Sequence, residues 1–317
     1  MEATSIGAGG AGPRRSLEAP SRRVGEKVIQ GLLALCAIVS VLTTTAIVLA
    51  LLGPSIGFFQ DVPLSEFLGT DWTPTFNPPS FGVLDIIAGT LNVTLWGMLF
   101  AIPIGLGAAV YLSEYASTRV RKVLKPILEI LAGIPTVAIG FFAASFLIPI
   151  IQDVWPGEFL GGAEKPFLAI AAGLGIGLMI VPIIASISED AMSAVPAGLR
   201  EGAYAMGATR AKVAVRVVFP AALSGIVASI VLGISRAVGE TMIVVLAAGS
   251  TPNFTLNPVE SVQAITSFIA TTATGDIAQG SITYDSVFAA GAVLFFMTLL
   301  MNLISIRLVR RYRQVYE

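Results

Sequence analysis

The stretch FLAIAAGLGIGLMIVPIIASI, Phe167 to Ile187, runs for 21 residues without an Asp, Glu, Lys or Arg side chain. A hydrocarbon core about 30 Å thick needs about 20 apolar residues in a helix, and the long continuous run does not resemble the short alternating strands of a membrane β-barrel. Five further apolar runs are long enough to span: about Val28–Leu52, Gly89–Leu112, Ile127–Ile151, Ala222–Ala248 and Val287–Leu308. We therefore predict an all-α membrane protein with six transmembrane helices.

The composition excludes several classes of protein. Of 317 residues, 55% are hydrophobic and 12% are charged, whereas an ordinary soluble chain has about 25% charged residues. The absence of histidine excludes histidine-based acid–base catalysis and histidine metal sites. The single cysteine, Cys36, excludes an internal disulfide and suits a small apolar position in a helix. No metal site is expected.

The basic residues predict the orientation. Of the 19 Lys and Arg residues, 17 fall on one side of the predicted membrane, Lys165 falls on the other, and Arg236 lies within a span. Because basic residues concentrate in cytoplasmic segments, we expect both termini to be cytoplasmic, with residues 1–25 as a disordered basic cytoplasmic tail and residues 26–317 as the transmembrane domain. The 17 residues are Arg14, Arg15, Arg22, Arg23, Lys27, Arg119, Arg121, Lys122, Lys125, Arg200, Arg210, Lys212, Arg216, Arg307, Arg310, Arg311 and Arg313.

Two long segments lie on the opposite, outer side. Gly53–Phe81 is rich in proline and aromatic residues and contains three acids but no base, and Gly249–Asp285 is similar in length. Loops this long are usually functional or pack as a cap. Within the second segment, Val259–Thr272 is a candidate for a short helix at the membrane surface.

The cytoplasmic segment 197–220 predicts a helix–turn–helix elbow. Ala197–Met206 favours a helix, Gly207 permits a left-handed turn, Thr209–Val218 resumes a helix with basic residues on it, and Pro220 breaks that helix before the fifth span. An exposed elbow of this kind suits docking into a groove on another protein. The alternative is a plain amphipathic connector at the lipid headgroups.

The spacing within the elbow favours docking. The letters EGA at 201–203 are followed after three residues by glycine and after nine more by VVFP, which resembles the EAA loop of ABC importer permeases. In that family the loop inserts into a separate ATP-hydrolysing subunit, and this chain has no phosphate-binding loop of its own, so we do not expect an enzyme. The candidate coupling residues are Glu201, Gly202, Ala203, Gly207, Arg210 and Pro220.

Two charges lie near the middle of the predicted fifth span. Arg236 and Glu240 are four residues apart and therefore share a helix face. A charge at the bilayer centre costs about 2.5–3.5 kcal/mol on insertion scales and normally faces a partner or a wet cavity. Two interpretations remain open: a buried ion pair that fixes helix packing, or an anion pathway in which Arg236 attracts the substrate and Glu240 holds or gates it.

Small and polar residues also share one face of the predicted third span, at Glu129, Gly133, Thr136 and Gly140. We assign Glu129 and Thr136 to the candidate pathway, while Glu129 is close enough to the cytoplasmic end to be simply interfacial. Together, Arg236, Glu240 and an ionised Glu129 carry a formal charge of −1. That charge is a poor lining for an anion path.

The phrases GISRAVGETMIVVLAAG (233–249) and FLGTDWTP (67–74), with the terminal segment from Ser286, resemble phosphate-specific ABC transporter permeases of the PstC type. The resemblance covers about residues 55–317 and implies a type I, MetI-like importer permease in a bacterial inner membrane. It places Arg236, Glu240 and Thr241 on the family's Arg-Ala-x-Gly-Glu-Thr positions. The implied substrate is inorganic phosphate.

The resemblance also implies the partners. They are a second permease of the PstA type, which supplies its own basic residue, two ATP-binding subunits, an extracytoplasmic phosphate-binding protein and membrane lipids, with no nucleic acid and no cofactor in this chain. Asp71 and Trp72 are candidates for receiving the binding protein. The alternatives are a permease for sulfate or molybdate, and an ion-driven secondary transporter, which leaves the elbow unexplained.

Overall fold

The computed structural model describes residues 24–154 and 165–312, which form helices joined by turns and one isolated antiparallel bridge. The first helices are α1 (Val24–Asp61), α2 (Leu64–Phe67), α3 (Leu84–Val110), α4 (Thr118–Ala132), α5 (Thr136–Phe142), α6 (Ile148–Val154) and α7 (Ala169–Ser193). The remaining helices are α8 (Ala197–Ala205), α9 (Arg210–Val213), α10 (Phe219–Ala221), α11 (Leu223–Val238), α12 (Met242–Ala247), α13 (Ile265–Ala273) and α14 (Ile282–Tyr312). Short π-helical stretches occupy Tyr111–Tyr115, Ala143–Leu147 and Ala214–Val218.

The chain divides into two units, Met1–Ala50 and Leu51–Glu317. In the first unit, the described part of α1 exposes nearly all of its apolar side chains, as a helix surrounded by lipid tails does. The predicted basic tail, residues 1–25, lies almost wholly outside the described residues. The second unit contains the remaining helices.

The all-α membrane prediction is confirmed. In the described residues, five helices are long and apolar enough to cross a membrane, and the bent pair Arg210–Ala221 and Leu223–Val238 brings the number to as many as six. The second and sixth spans differ from their predicted bounds by a few residues. Helix α3 begins at Leu84 and α14 at Ile282, so both start earlier than the apolar runs alone indicate.

The third predicted span, 127–151, is wrong in its first part. Helix α4 ends at Ala132, and the spanning helix runs over Thr136–Val154. The break falls at Gly133–Pro135 because glycine is a poor helix former and a proline disfavours helical geometry in the residue before it. Helix α4 is instead amphipathic and has no buried residue.

The fifth predicted span, 222–248, is also not one helix. Helix α11 ends at Val238 and α12 begins at Met242. Gly239 lowers helix propensity at that point. The side chain of Glu240, the next residue, accepts hydrogen bonds from backbone N–H groups at the start of α12.

The centre of the second unit is the pair α3 and α7, whose backbones approach each other at glycines. A Cβ on Gly173 would lie 2.8 Å from the Cβ of Trp96, and one on Gly97 would lie 3.0 Å from the carbonyl oxygen of Gly173. One on Gly105 would lie 2.9 Å from the Cβ of Ile184. Small residues permit this close approach in membrane helices, where packing rather than hydrophobic burial drives association.

The two ends of the second unit differ in charge. The basic end contains the end of α7 and the α8–α10 elbow, which share one apolar cluster with Ala109 near the end of α3. The acidic end contains the start of α3 and α13, which share another cluster with the last turns of α1.

Aromatic rings close the acidic end. Trp72 is fully buried and packs edge-to-face against Phe67, Phe81 and Phe268, and its backbone N–H donates to Asp85 at 3.4 Å. Burial of Trp72 excludes it from receiving a partner, whereas Asp71 is exposed. The predicted short helix begins at Ile265 rather than Val259, and its inner face is buried in the protein.

The α3–α7 contact generates a matched pair of glycine variants. Gly105→Ala forces a methyl group against Ile184 and should destabilise the protein by about 1–3 kcal/mol through overpacking. Gly107→Ala, in the same helix with nothing within 4 Å, should be neutral or stabilising by up to about 1 kcal/mol. Thermal unfolding of both variants in detergent measures the difference. Equal midpoints would contradict the close contact.

Candidate functional site

The break between α11 and α12 is closed by the side chain of Glu240. Its Oε1 accepts hydrogen bonds from the backbone N–H groups of Met242, at 3.2 Å, and Ile243, at 3.4 Å. Glu240 is 8% exposed. The first N–H groups of a helix have no partner within that helix, so the carboxylate serves here as the N-terminal cap of α12.

The backbone of Glu240 is held as well. Its carbonyl oxygen accepts a hydrogen bond from Thr266 Oγ1 at 2.7 Å, and Thr266 is a buried residue of α13. The break is therefore fixed from two directions, by its own carboxylate and by a helix at the acidic end.

Arg236 lies in the last turn of α11 and is exposed. Of the two interpretations left open, the ion pair between Arg236 and Glu240 is wrong, because α11 ends two residues before Glu240 and the carboxylate bonds to α12. Within the described part of the chain, no hydrogen bond or ion pair engages the Arg236 guanidinium. A cation in this position is favoured by the helix dipole.

The other predicted pathway residues separate. Thr241 is half-buried at the break, and Thr136 is half-buried at the start of α5, a helix that packs closely on α12 through Gly140. Glu129 is exposed on α4, across the turn at Gly133–Pro135. Glu129 and Thr136 therefore do not share a helix face. The prediction that they do assumed one continuous helix.

The elbow forms as the sequence predicts. Gly207 has φ of +78°, the left-handed conformation that glycine adopts without steric cost, and the hydroxyl of Thr209 accepts from the N–H of Lys212 at 3.4 Å to cap α9. The bend toward α11 is 72°. It falls at Ala222, between α10 and α11, rather than at Pro220, which is tolerated in the first turn of α10.

Most of the coupling residues face outward. Ala203 is buried in the apolar cluster of the basic end, so it anchors the elbow. The side chains on the surface are those of Glu201, Arg210 and Pro220, and Gly202 is exposed with nothing within 4 Å of a Cβ.

An ion pair that the sequence does not reveal joins the elbow to α3. Arg200 of α8 donates to Glu114 Oε1 from Nε at 3.2 Å and from Nη2 at 3.0 Å. The same guanidinium donates to the carbonyl oxygens of Met192 at 2.7 Å and Val195 at 2.6 Å, at the end of α7. From the sequence, Arg200 signals only topology, because its partner is 86 residues away.

A second buried acid anchors α4. The Glu189 side chain of α7 is 1% exposed and forms ion pairs with Arg121 and with Lys125, the latter at 2.9 Å, while Lys125 also pairs with Asp190. Burial lowers the pKa of Lys125, but its hydrogen bonds to Asp190 and Glu189 outweigh burial and raise that pKa above its usual value. The basic residues of α4 therefore have a structural partner in addition to their topological role.

A family model described as binding-protein-dependent transport system inner membrane component matches residues 101–314. The probable ABC transporter permease protein YqgH of Bacillus subtilis is 35% identical over 85% of this chain and 86% of its own length. The phosphate transport system permease protein PstC of Xylella fastidiosa is 31% identical over 74% of this chain and 75% of its own. PstC of Pasteurella multocida is 29% identical over 94% and 97%.

Two solved structures share the fold. A bacterial alginate ABC transporter in complex with a periplasmic protein aligns with a TM-score of 0.59 and 18% identity, over 92% of this chain and 98% of the other. An inward-facing MetNI methionine ABC transporter aligns with a TM-score of 0.53 and 20% identity, over 73% and 94%. The predicted MetI-like importer permease fold is thereby confirmed.

The cap of α12 generates a stability prediction. Glu240→Ala removes the acceptor of two backbone N–H groups and should cost about 0.5–2 kcal/mol, whereas Glu240→Gln keeps a carbonyl oxygen and should lose less. Glu129→Gln, on the exposed face of α4, is the control and should leave the unfolding midpoint unchanged. An unaltered midpoint in Glu240→Ala would contradict the capping role.

Proposed function

The chain belongs to the family of binding-protein-dependent transport system inner membrane components and is of the PstC type, and we propose that it translocates inorganic phosphate as a permease subunit of an ATP-driven importer. The observation that carries the substrate is its similarity, over most of the chain, to phosphate transport permeases. The fold and the helical spans agree with a multi-pass inner-membrane protein.

The partners follow from the same proposal. An extracytoplasmic binding protein delivers phosphate at the acidic end, a second permease of the PstA type completes the pathway, and two ATP-binding subunits dock at the basic end, which faces the cytoplasm. ATP is used by those subunits and not by this chain. The left-handed turn at Gly207 and the exposed Glu201 and Arg210 support docking at the elbow.

Arg236 is the charge that attracts phosphate in this proposal. Glu129 lies on α4, outside the spanning helix, and Glu240 is buried in the cap of α12. The formal charge of −1 that the sequence places on the pathway therefore no longer applies, and the exposed charge at the break is positive. Thr241 and Thr136 are the neighbouring polar residues proposed to line the path.

Movement of the elbow has a physical route to the spans. When the ATP-binding subunits close, they displace α8, and Arg200 of α8 carries that displacement to Glu114, in the π-helical stretch that follows α3, and to the backbone carbonyls at the end of α7. Because α3 and α7 are packed backbone to backbone, we expect the two helices to move together. This supports alternating access driven from the basic end.

Arg236→Gln tests the pathway. The variant should assemble normally, because Arg236 is exposed and bonded to no described residue, yet it should lose uptake of radiolabelled phosphate. The matched control is Arg216→Gln, which changes an exposed arginine on the elbow. Because this variant keeps Arg236, it should take up phosphate. Sulfate and molybdate are added as competitors and should not reduce uptake by the wild type. Wild-type uptake by Arg236→Gln would contradict the proposal.

Gly207→Val tests coupling. A β-branched residue is strained at φ of +78°, so the turn should distort, and the variant should lose phosphate-dependent ATP hydrolysis and bind the ATP-binding subunit more weakly. Gly198→Ala, on the same elbow with open space around its Cβ, is the control and should behave as wild type. Full coupling in Gly207→Val would show that this turn is not the transmission element.

A further inference from the structure

The acidic end has an excess of negatively charged side chains. Among its described residues, Lys165 is the one base, and every other charged side chain is acidic. The exposed acids are Asp61, Glu66, Asp71, Asp153 and Asp276, with Glu260 and Asp285 half-buried. A face of this kind repels a free oxyanion and attracts a basic surface.

A cavity of about 380 Å³ opens within this end. The exposed ring of Phe76 supplies apolar surface, while Gln263, Thr272 and Asp276 supply an amide, a hydroxyl and a carboxylate. A concave site that combines apolar surface with convergent polar groups is a candidate binding site.

Gln263 has no hydrogen-bond partner for its amide among the described residues, although it is only 7% exposed. Since neither amide atom is sealed from solvent, that remaining exposure is to the cavity, which Gln263 lines. An occupant of the cavity that carries hydrogen-bonding groups can therefore pair with the Gln263 amide.

The backbone around Gln263 is firmly held. A Cβ on Gly89 of α3 would lie 2.2 Å from the Gln263 carbonyl oxygen, and the N–H of Ile265 donates to Thr90 Oγ1 at 3.0 Å. The amide is therefore presented from a fixed position against α3. Such preorganisation reduces the entropy lost on binding.

We propose that this cavity, with Asp276 in its lining and the exposed acids of the same end, forms the docking site for a basic, hydrogen-bonding segment of the extracytoplasmic binding protein. The inference rests on the proposed function, which supplies a binding protein as partner, and adds where it docks and which chemistry it presents. The occupant is a lysine- or arginine-bearing loop and not phosphate itself, because Asp276 and the surrounding acids oppose an anion.

The test uses the complete transporter in nanodiscs and the binding protein in solution, with affinity measured by biolayer interferometry. Asp276→Lys should weaken binding by about tenfold or more, since like charges at an interface are strongly unfavourable. Asp153→Lys, an exposed acid that does not line the cavity, should change affinity by less than about twofold. Raising the salt concentration should weaken wild-type binding, chiefly through a slower on-rate.

Gln263→Leu provides a second variant that alters no charge. It should weaken docking while leaving the salt dependence as in wild type, and basal ATP hydrolysis by the complex verifies that each variant is folded. Equal affinity of Asp276→Lys and wild type would overturn the docking site. Saturable binding of radiolabelled phosphate to nanodiscs without the binding protein, abolished by Gln263→Leu, would also overturn it, in favour of a phosphate site.

These outcomes are separable from failure of the proposed function. If the wild-type complex binds no binding protein and takes up no phosphate, the proposed function is wrong. If wild type binds and transports while the cavity variants bind equally well, only the docking site is wrong.

Discussion

The backbone contact between α3 and α7 is the constraint on which the remainder of the second unit depends. Gly97, Gly105 and Gly173 leave no room for a side chain between the helices, and in lipid such packing replaces the hydrophobic effect as the force between spans. The packed helices α3 and α7 then position residues at both ends of the second unit. At the basic end it positions Glu114 for Arg200, and at the acidic end it supports Gln263 against Gly89.

The sequence predicted the features that depend on local chemistry. Long apolar runs indicated the spans, and Gly207 indicated a left-handed turn, because both signals lie within the segment that they describe. The spans 127–151 and 222–248 were predicted as continuous, whereas the chain breaks at Gly133–Pro135 and Gly239–Thr241. Helical spacing assumes a continuous helix, and it therefore placed Glu240 beside Arg236 and Glu129 beside Thr136.

The ion pairs between distant helices could not be predicted from the sequence, for a different reason. Arg200 and Glu114, or Lys125 and Glu189, are ordinary charged residues near span ends, and charge alone does not select a partner. Only the packing of α3, α4 and α7 brings them together. The basic residues that predict the orientation thus also pair with buried acids, whereas the acids of the other end remain largely exposed.

The hydrogen bond from Thr266 to the carbonyl of Glu240 joins α13, which lines the cavity of the acidic end, to the break beside Arg236. Linkage between two sites is reciprocal: if occupancy of one changes the affinity of the other by some factor, the reverse change has the same factor. A docked partner that shifts α13 would therefore alter how strongly an anion is held at the break. By the same factor, the departure of the anion would change the affinity for the partner.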